Sequence, residues 1–432
     1  MIPAIVISVM SCLCMIVFSL VRPKLKLRTI TINTYWLAPL LGALLLTIFN
    51  LMDVTEIFAG LTSNAAINPV KILALFLSVT VLSIFLDETG LFKYLANAVS
   101  KRTGSNQLKL FTALYFVISI ITVFVSNDIV ILTFTPFLCY FCKNAKINPI
   151  PYLVSCFVAA NTCSMLLVTG NPTNIYLATS NGIGFIEYLL VMALPTLLAT
   201  IVAYVVMLLL FRKKLRRPIT CATEKVTLKK PLMLIGLVIL LLVKVFLAIS
   251  SFVGVEMWLV ATVAVGVLTI AVLVFALFKK EPPRELGRTL RRVPWELVPF
   301  VVSMFILVLA LEKYDVTAML GSLLGNQNTI PVYGVTSTIF ANLINNIPMS
   351  ALFSAILVDS SAGLDGVYAA IIGSNIGAFL TPIGALAGIM WSSILKTNNV
   401  NFSFARFLGY GVIIAPLVLL VALLGLALVV AV

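Results

Sequence analysis

Four short polar stretches interrupt long apolar segments of this sequence, and they hold the residues best suited to bind a solute or an ion. They are Ser126-Asn127-Asp128, Gly170-Asn171-Pro172-Thr173-Asn174, Asn345-Asn346-Ile347-Pro348 and Thr381-Pro382-Ile383-Gly384. Hydroxyl and amide groups donate and accept hydrogen bonds without a net charge. A helix broken at membrane depth is tolerated only where it is buried in protein or lines a wet cavity, and it presents free backbone groups there. The four stretches are therefore our candidate site.

Asp128 is the one acid that we place deep within an apolar segment. An acid inside a membrane is costly and is a functional candidate by default. It can take up a proton or neutralise a cation, and the alternative interpretation is a helix cap at the tip of a hairpin. If Na⁺ binds instead of H⁺, we expect Ser126, Asn127 and Asn346 to supply oxygen ligands.

The other three stretches add neutral ligands. Proline removes a backbone donor and glycine loosens the chain, so carbonyl groups become free to complete a solute or Na⁺ shell; a simple kink is the alternative. Asn345 and Asn346 have no acid where Asp128 stands, so the two predicted hairpins are chemically unequal. The candidate residues here are Gly170, Asn171, Pro172, Thr173, Asn174, Asn345, Asn346, Pro348, Ser374, Asn375, Thr381 and Pro382.

Composition indicates that these stretches lie in a membrane. The chain of 432 residues is 61% hydrophobic and 10% charged, whereas a soluble domain has about 25% charged residues. The formal charge of +14 is concentrated in a few loops, which is typical of the cytoplasmic side of a membrane protein and not of a nucleic-acid interface. These loops are 22–33, 87–110, 143–150, 212–231, 279–296 and 396–407. We therefore predict a multi-pass protein of the cell membrane with both termini outside and no nucleic-acid partner.

Several chemistries are excluded or disfavoured. The chain contains no histidine, so imidazole metal sites and histidine bases are excluded. The pair Cys139 and Cys142 lies in an apolar segment and is interpreted as packing, so we expect no resident metal or cofactor. No P-loop pattern is present, and coupling must come from an ion gradient or a partner. We expect a transporter and not an enzyme.

The loops and breaks predict an all-α polytopic fold with two repeats. An N-terminal repeat at 1–211 contains a re-entrant hairpin at about 108–143 and a broken span at about 151–179. A cytoplasmic linker follows at 212–231. The C-terminal repeat at 232–432 contains a hairpin at about 329–357 and a broken span at about 366–395. Five spans and one hairpin per half make the second repeat inverted, with the broken helices at the midplane.

The motifs at 86–90, 126–128, 345–348 and 381–387 resemble those of the ArsB-type arsenite permeases. These permeases belong to the ion transporter superfamily, which also contains divalent anion/sodium symporters and NhaD-type sodium/proton antiporters. The resemblance extends in order over nearly the whole chain, including 399–411.

The resemblance implies a scaffold domain, a transport domain and export of arsenite and antimonite as neutral hydroxides in exchange for protons. Asp128 matches the acid of the first hairpin, and Asn345 with Asn346 matches the paired asparagines. The stretch 170–174 is more similar to the sodium-coupled anion branch, so sodium-coupled transport of an inorganic or carboxylate anion is the alternative. Two inverted halves with four breaks favour a carrier over a channel or receptor. A soluble ATPase partner and a homodimer both remain open.

Overall fold

The structure is a computed structural model, and it describes residues 1–22, 24–27, 30–62, 68–216 and 228–431. The predicted linker at 212–231 lies partly outside this range, because 217–227 are not described. The helices of the first half are α1 (Ile2–Val21), α2 (Leu37–Ile48), α3 (Val54–Thr62), α4 (Pro69–Glu88), α5 (Leu91–Thr103), α6 (Gln107–Phe124), α7 (Asn127–Asn144), α8 (Ile150–Cys163), α9 (Pro172–Ser180) and α10 (Phe185–Phe211).

The second half contains helices in the same order. They are α11 (Lys230–Val253), α12 (Met257–Lys279), α13 (Arg284–Arg292), α14 (Leu297–Lys313), α15 (Val316–Leu324), α16 (Thr329–Ile344), α17 (Asn346–Ser360), α18 (Gly363–Gly377), α19 (Leu386–Thr397) and α20 (Phe404–Val430). The predicted all-α membrane protein is confirmed, with one small addition. Strands β1 (Lys24–Leu27) and β2 (Ile30–Asn33) pair antiparallel in a predicted cytoplasmic loop, where apolar and polar residues alternate with the period of a strand.

Eight stretches of the described helices are long and apolar enough to cross a bilayer, with α13 and α14 counted as one stretch. Their outer faces carry exposed apolar side chains, such as Leu241 and Phe246 of α11 and Ile270 of α12. Such a surface suits lipid and not water. Four shorter apolar helices, α2, α8, α16 and α17, complete the apolar body. The assignment of five spans and one re-entrant hairpin to each half stays a prediction.

The two halves pack by the same scheme. Helix α2 packs against α14 as α12 packs against α4, and α1 packs against α2 as α11 packs against α12. Helix α8 packs against α10 as α18 packs against α20, and α10 and α20 contact each other. Each helix thus has its counterpart ten helices later, which agrees with an internal repeat. The opposite orientation of the halves in the membrane stays a prediction.

Each of the four polar stretches separates two helices. α6 and α7 meet at Ser126, and α16 and α17 meet at Asn345, whose φ of +75° is in the left-handed region. Residues 164–171 separate α8 from α9, and residues 378–385 separate α18 from α19. Short polar side chains such as asparagine tolerate positive φ and cap helix starts, which is why the helices break at these residues.

Helices α16 and α18 pack closely against each other beside the site. A Cβ atom at Gly373 would lie 2.2 Å from the carbonyl oxygen of Gly334 and 2.0 Å from Ser337 Oγ. We expect Gly373→Ala to lower the free energy of unfolding by about 1–3 kcal/mol, because the helices must move apart. Gly266→Ala in α12 is the matched control, since its new Cβ would meet no atom within 4 Å. Melting temperatures in detergent test this, and equal values for the two variants would contradict it.

Candidate functional site

A buried network of amide side chains joins the first broken span to the second half of the chain. Asn171 Nδ2 donates to Asn375 Oδ1 at 2.8 Å, and Asn375 Nδ2 donates to Asn174 Oδ1 at 2.7 Å. Ser164 Oγ also donates to Asn375 Oδ1, at 3.1 Å. All four side chains are buried. The predicted site residues Asn171, Asn174 and Asn375 are thus brought into direct contact, although about half the chain separates them.

The local backbone explains how the break between α8 and α9 is held. The chain folds back through a single 3-10 turn, Val168–Gly170, and Asn174 Nδ2 donates to the carbonyl oxygen of Ser164 at 2.8 Å. A Cβ atom at Gly170 would lie only 2.2 Å from that oxygen, so this close approach requires glycine. Pro172 occupies the first turn of α9, where its missing N–H costs nothing, and Asn171 caps the helix through the N–H of Thr173.

The tip of the first hairpin extends the network. Asn127 Nδ2 donates to Asn161 Oδ1 at 3.1 Å, and Ser164 Oγ reaches the carbonyl oxygen of Asn161 at 2.9 Å. Ser126 Oγ and Asn127 Oδ1 are buried and have no hydrogen-bond partner among the described residues. Buried polar atoms are nearly always paired, so these two oxygens mark a place where a solute or ion can bind.

Asp128 faces a cavity of about 440 Å³. Its side chain is only 8% exposed, and its carboxyl group has no hydrogen bond or ion pair with any described residue. The first turn of α7 has no side-chain cap bond, which contradicts the alternative interpretation of Asp128 as a helix cap. The rest of the cavity lining is mixed: apolar side chains such as Phe76 and Met390 make up most of it, and polar residues contribute at Ser19, Asn33, Tyr35, Thr80, Arg291, Arg292, Glu296 and Ser393.

Two arginines of α13, Arg291 and Arg292, also line this cavity, which the sequence did not predict for a site. Arg292 forms ion pairs with Asp87 at 2.7 Å and with Glu88 at 2.6 Å, and these ion pairs join α13 to the end of α4. Arg291 is exposed beside Trp295, which is 53% exposed, so the cavity reaches the surface there. Both arginines lie in a loop that we interpreted only as a topology signal, because nothing local indicates that α13 lies over the cavity.

The second hairpin and the second broken span form a separate group. Asn345 Nδ2 donates to the carbonyl oxygen of Ile383 at 2.9 Å, and the backbone N–H of Asn346 donates to that of Gly384 at 3.1 Å. Thr381 Oγ1 donates to Asn342 Oδ1 at 2.6 Å. Pro348 and Pro382 are buried in the same region. The predicted contact between this hairpin tip and its broken span is therefore present.

The two groups are linked through the end of α18. Asn342 Nδ2 donates to the carbonyl oxygen of Gly377, two residues after the central Asn375. Ser374 Oγ and Asn346 Oδ1 are buried without a hydrogen-bond partner among the described residues. Asn346 is bonded to the second break, whereas Ser126 and Asn127 lie at the first hairpin tip. A shared Na⁺ site of these three residues stays a prediction.

Lys244 is a site residue that sequence reasoning left without a role. It lies in the middle of α11, is only 9% exposed, and donates from Nζ to Thr169 Oγ1 at 2.6 Å. Thr169 immediately precedes Gly170 in the first break. The signal in the sequence was a single lysine within an otherwise apolar span; its partner could not be read from the sequence because 75 residues separate the two.

Comparisons with known proteins show that this chain is similar to membrane transporters. A family model described as "CitMHS: Citrate transporter" matches residues 30–370. The "Arsenical pump membrane protein" of Escherichia coli (strain K12) is 29% identical over 379 residues, covering 82% of this chain and 85% of that protein. The protein of the same name from Yersinia enterocolitica is 29% identical over 377 residues, with the same coverage. These relatives confirm the resemblance to arsenite permeases.

A solved structure shares the fold. The crystal structure of the YdaH transporter of Alcanivorax borkumensis, described as having an unusual topology, aligns with a TM-score of 0.58 at 13% identity. The alignment covers 99% of this chain and 98% of that one. At this identity the likeness concerns the fold alone.

Proposed function

Because this chain belongs to the CitMHS citrate transporter family, it is a multi-pass membrane transporter, and we propose that it exports arsenite and antimonite in exchange for protons. The observation that carries the proposal is the buried carboxyl group of Asp128, which faces a cavity with polar residues in its lining and has no hydrogen-bond or ion-pair partner among the described residues. The relatives named as arsenical pump membrane proteins support the choice of solute.

The proposed mechanism assigns separate tasks to the network and to Asp128. Hydroxyl, amide and free backbone groups at the four breaks hold the oxygen-rich solute. Asp128 takes up a proton from one side of the membrane and releases it on the other, since a neutral carboxyl group crosses an apolar region at lower cost than a carboxylate. One domain moves against the other, so that the site faces each side in turn. In this proposal the Arg291 end of the cavity faces the cytoplasm and both termini lie outside, which the distribution of basic loops supports.

A sodium-coupled carrier of an inorganic or carboxylate anion is the second candidate. Hard cations prefer oxygen ligands, and Ser126 Oγ, Asn127 Oδ1 and Asn346 Oδ1 are buried oxygens without described partners. The description of the family as a citrate transporter also favours an anion.

Purified protein in proteoliposomes tests both candidates. We expect a proton gradient alone to drive arsenite and antimonite movement above that of empty vesicles, and a sodium gradient alone to have no effect. Citrate uptake driven by sodium, without metalloid movement, would replace the first candidate by the second. Arsenite movement that is independent of both gradients would contradict coupling to protons and coupling to sodium.

A further inference from the structure

The ammonium group of Lys244 makes fewer hydrogen bonds than it can donate. An ammonium has three N–H donors, and the structure shows one hydrogen bond, to Thr169 Oγ1. Charged residues inside a membrane-spanning helix are costly and mark solute or ion pathways. The proposed function above assigns the proton to Asp128 and leaves Lys244 without a task.

No acid compensates this charge within the part of the chain that the structure describes. The ion pairs found there join Lys71 to Glu256, Lys229 to Glu285, Arg292 to Asp87 and Glu88, and Lys313 to Glu56. Helices α4, α10 and α12 pack against α11, and their charged residues stand at the helix ends. These residues are Lys71, Asp87 and Glu88 of α4, Glu187 of α10 and Lys279 of α12.

A second positive centre lies beside the ammonium. Thr169 is two residues before Asn171, the cap of α9, and the start of a helix carries a partial positive charge. In the first turn of that helix, Thr173 Oγ1 is fully buried and has no described partner. The ammonium group and the partial charge of the helix start are both positive, so this corner of the first break is suited to an anion that Lys244 Nζ and Thr173 Oγ1 would bind, while the N–H of Thr173 stays bonded to Asn171 Oδ1.

We propose that Lys244 and Thr173 bind a negatively charged oxygen group of the transported solute, next to the positive start of α9. Thr169 positions the ammonium group and does not itself bind the solute. The charged group is a carboxylate or the ionised hydroxyl of a metalloid acid, which share the same oxygen chemistry. The inference rests on the proposed transport route through the first break, and it changes the expected form of the solute from a neutral hydroxide to an anion.

Binding to the purified full-length protein in nanodiscs tests the inference, with citrate and inorganic phosphate as anion probes and arsenite at neutral pH as an uncharged probe. We expect at least one anion to bind the wild type and to bind Lys244→Met about 30-fold or more weakly, because a buried charge pair loses one partner. Lys244→Arg should retain most of the affinity. Methionine is apolar and of similar length, so the fold should persist, and the melting temperature of the unliganded variant checks this.

Lys71→Met is the matched control. Lys71 forms an ion pair with Glu256, so the charge of Lys71 is already compensated. The same ion pair holds the pKa of the Glu256 carboxyl group below its usual value. The control should bind each anion within twofold of the wild type. Failure of the wild type to bind either anion, or equal binding by Lys244→Met, would overturn the inference. Anion binding that depends on Lys244 in a protein that moves no metalloid would uphold it and refute the proposed solute instead.

Discussion

Asp128→Asn should reduce proton-driven solute transport in proteoliposomes to the level of empty vesicles. Asparagine has nearly the same shape as aspartate but carries no exchangeable charge, so the variant can bind solute and cannot carry a proton. Because the carboxyl group of Asp128 makes no hydrogen bond or ion pair with the described residues, the substitution breaks no contact of the fold. The measurement is solute movement under an imposed proton gradient, with no sodium present.

Two controls distinguish a loss of proton coupling from a loss of folded, functional protein. Asp359→Asn removes an exposed acid at the end of α17 and should transport like the wild type. Exchange of labelled for unlabelled solute, measured without any gradient, should survive in Asp128→Asn. Proton-driven transport by Asp128→Asn at the wild-type rate would remove Asp128 from the mechanism.

Asn375→Ala should both destabilise the protein and abolish transport. The amide of Asn375 accepts hydrogen bonds from Asn171 and Ser164 and donates to Asn174 and to the carbonyl oxygen of Ile371. Its removal leaves the amides of Asn171 and Asn174 incompletely paired in a fully buried site, at a cost of about 1–3 kcal/mol for each. Total stabilities are about 5–15 kcal/mol, so we expect a clearly lower melting temperature. The first break also loses the side-chain hydrogen bonds that join Ser164, Asn171 and Asn174 to α18.

The matched control for this variant is Asn398→Ala. Asn398 is exposed at the end of α19, and its amide bonds only within its own helix, to Ile394. We expect its melting temperature and transport to match those of the wild type. If Asn375→Ala behaved in the same way, the amide network would be neither a structural support nor part of the site.

Several features followed from the sequence because they depend on residues close together in the chain. Hydropathy predicted a polytopic membrane protein, and Gly170 with Pro172 marked one of the places where helices break and Asn345 another. These signals are local: a proline removes its own N–H, and asparagine tolerates a left-handed backbone, whatever lies elsewhere. The isolated acid Asp128 was equally visible, because the apolar residues around it are its neighbours in sequence.

The contacts that make these breaks a site were decided by the tertiary structure. Asn375 was a candidate from its position, but its bonds to Asn171 and Asn174 cross about 200 residues, and no local pattern specifies which amide meets which. The same holds for the bond of Lys244 to Thr169 and for the placement of Arg291 and Arg292 over the cavity of Asp128. The sequence by itself determined where the helices end and which side chains are polar there. Only the packing of the two halves determined which charges meet, because electrostatic and hydrogen-bond energies depend on distance in space and not on separation along the chain.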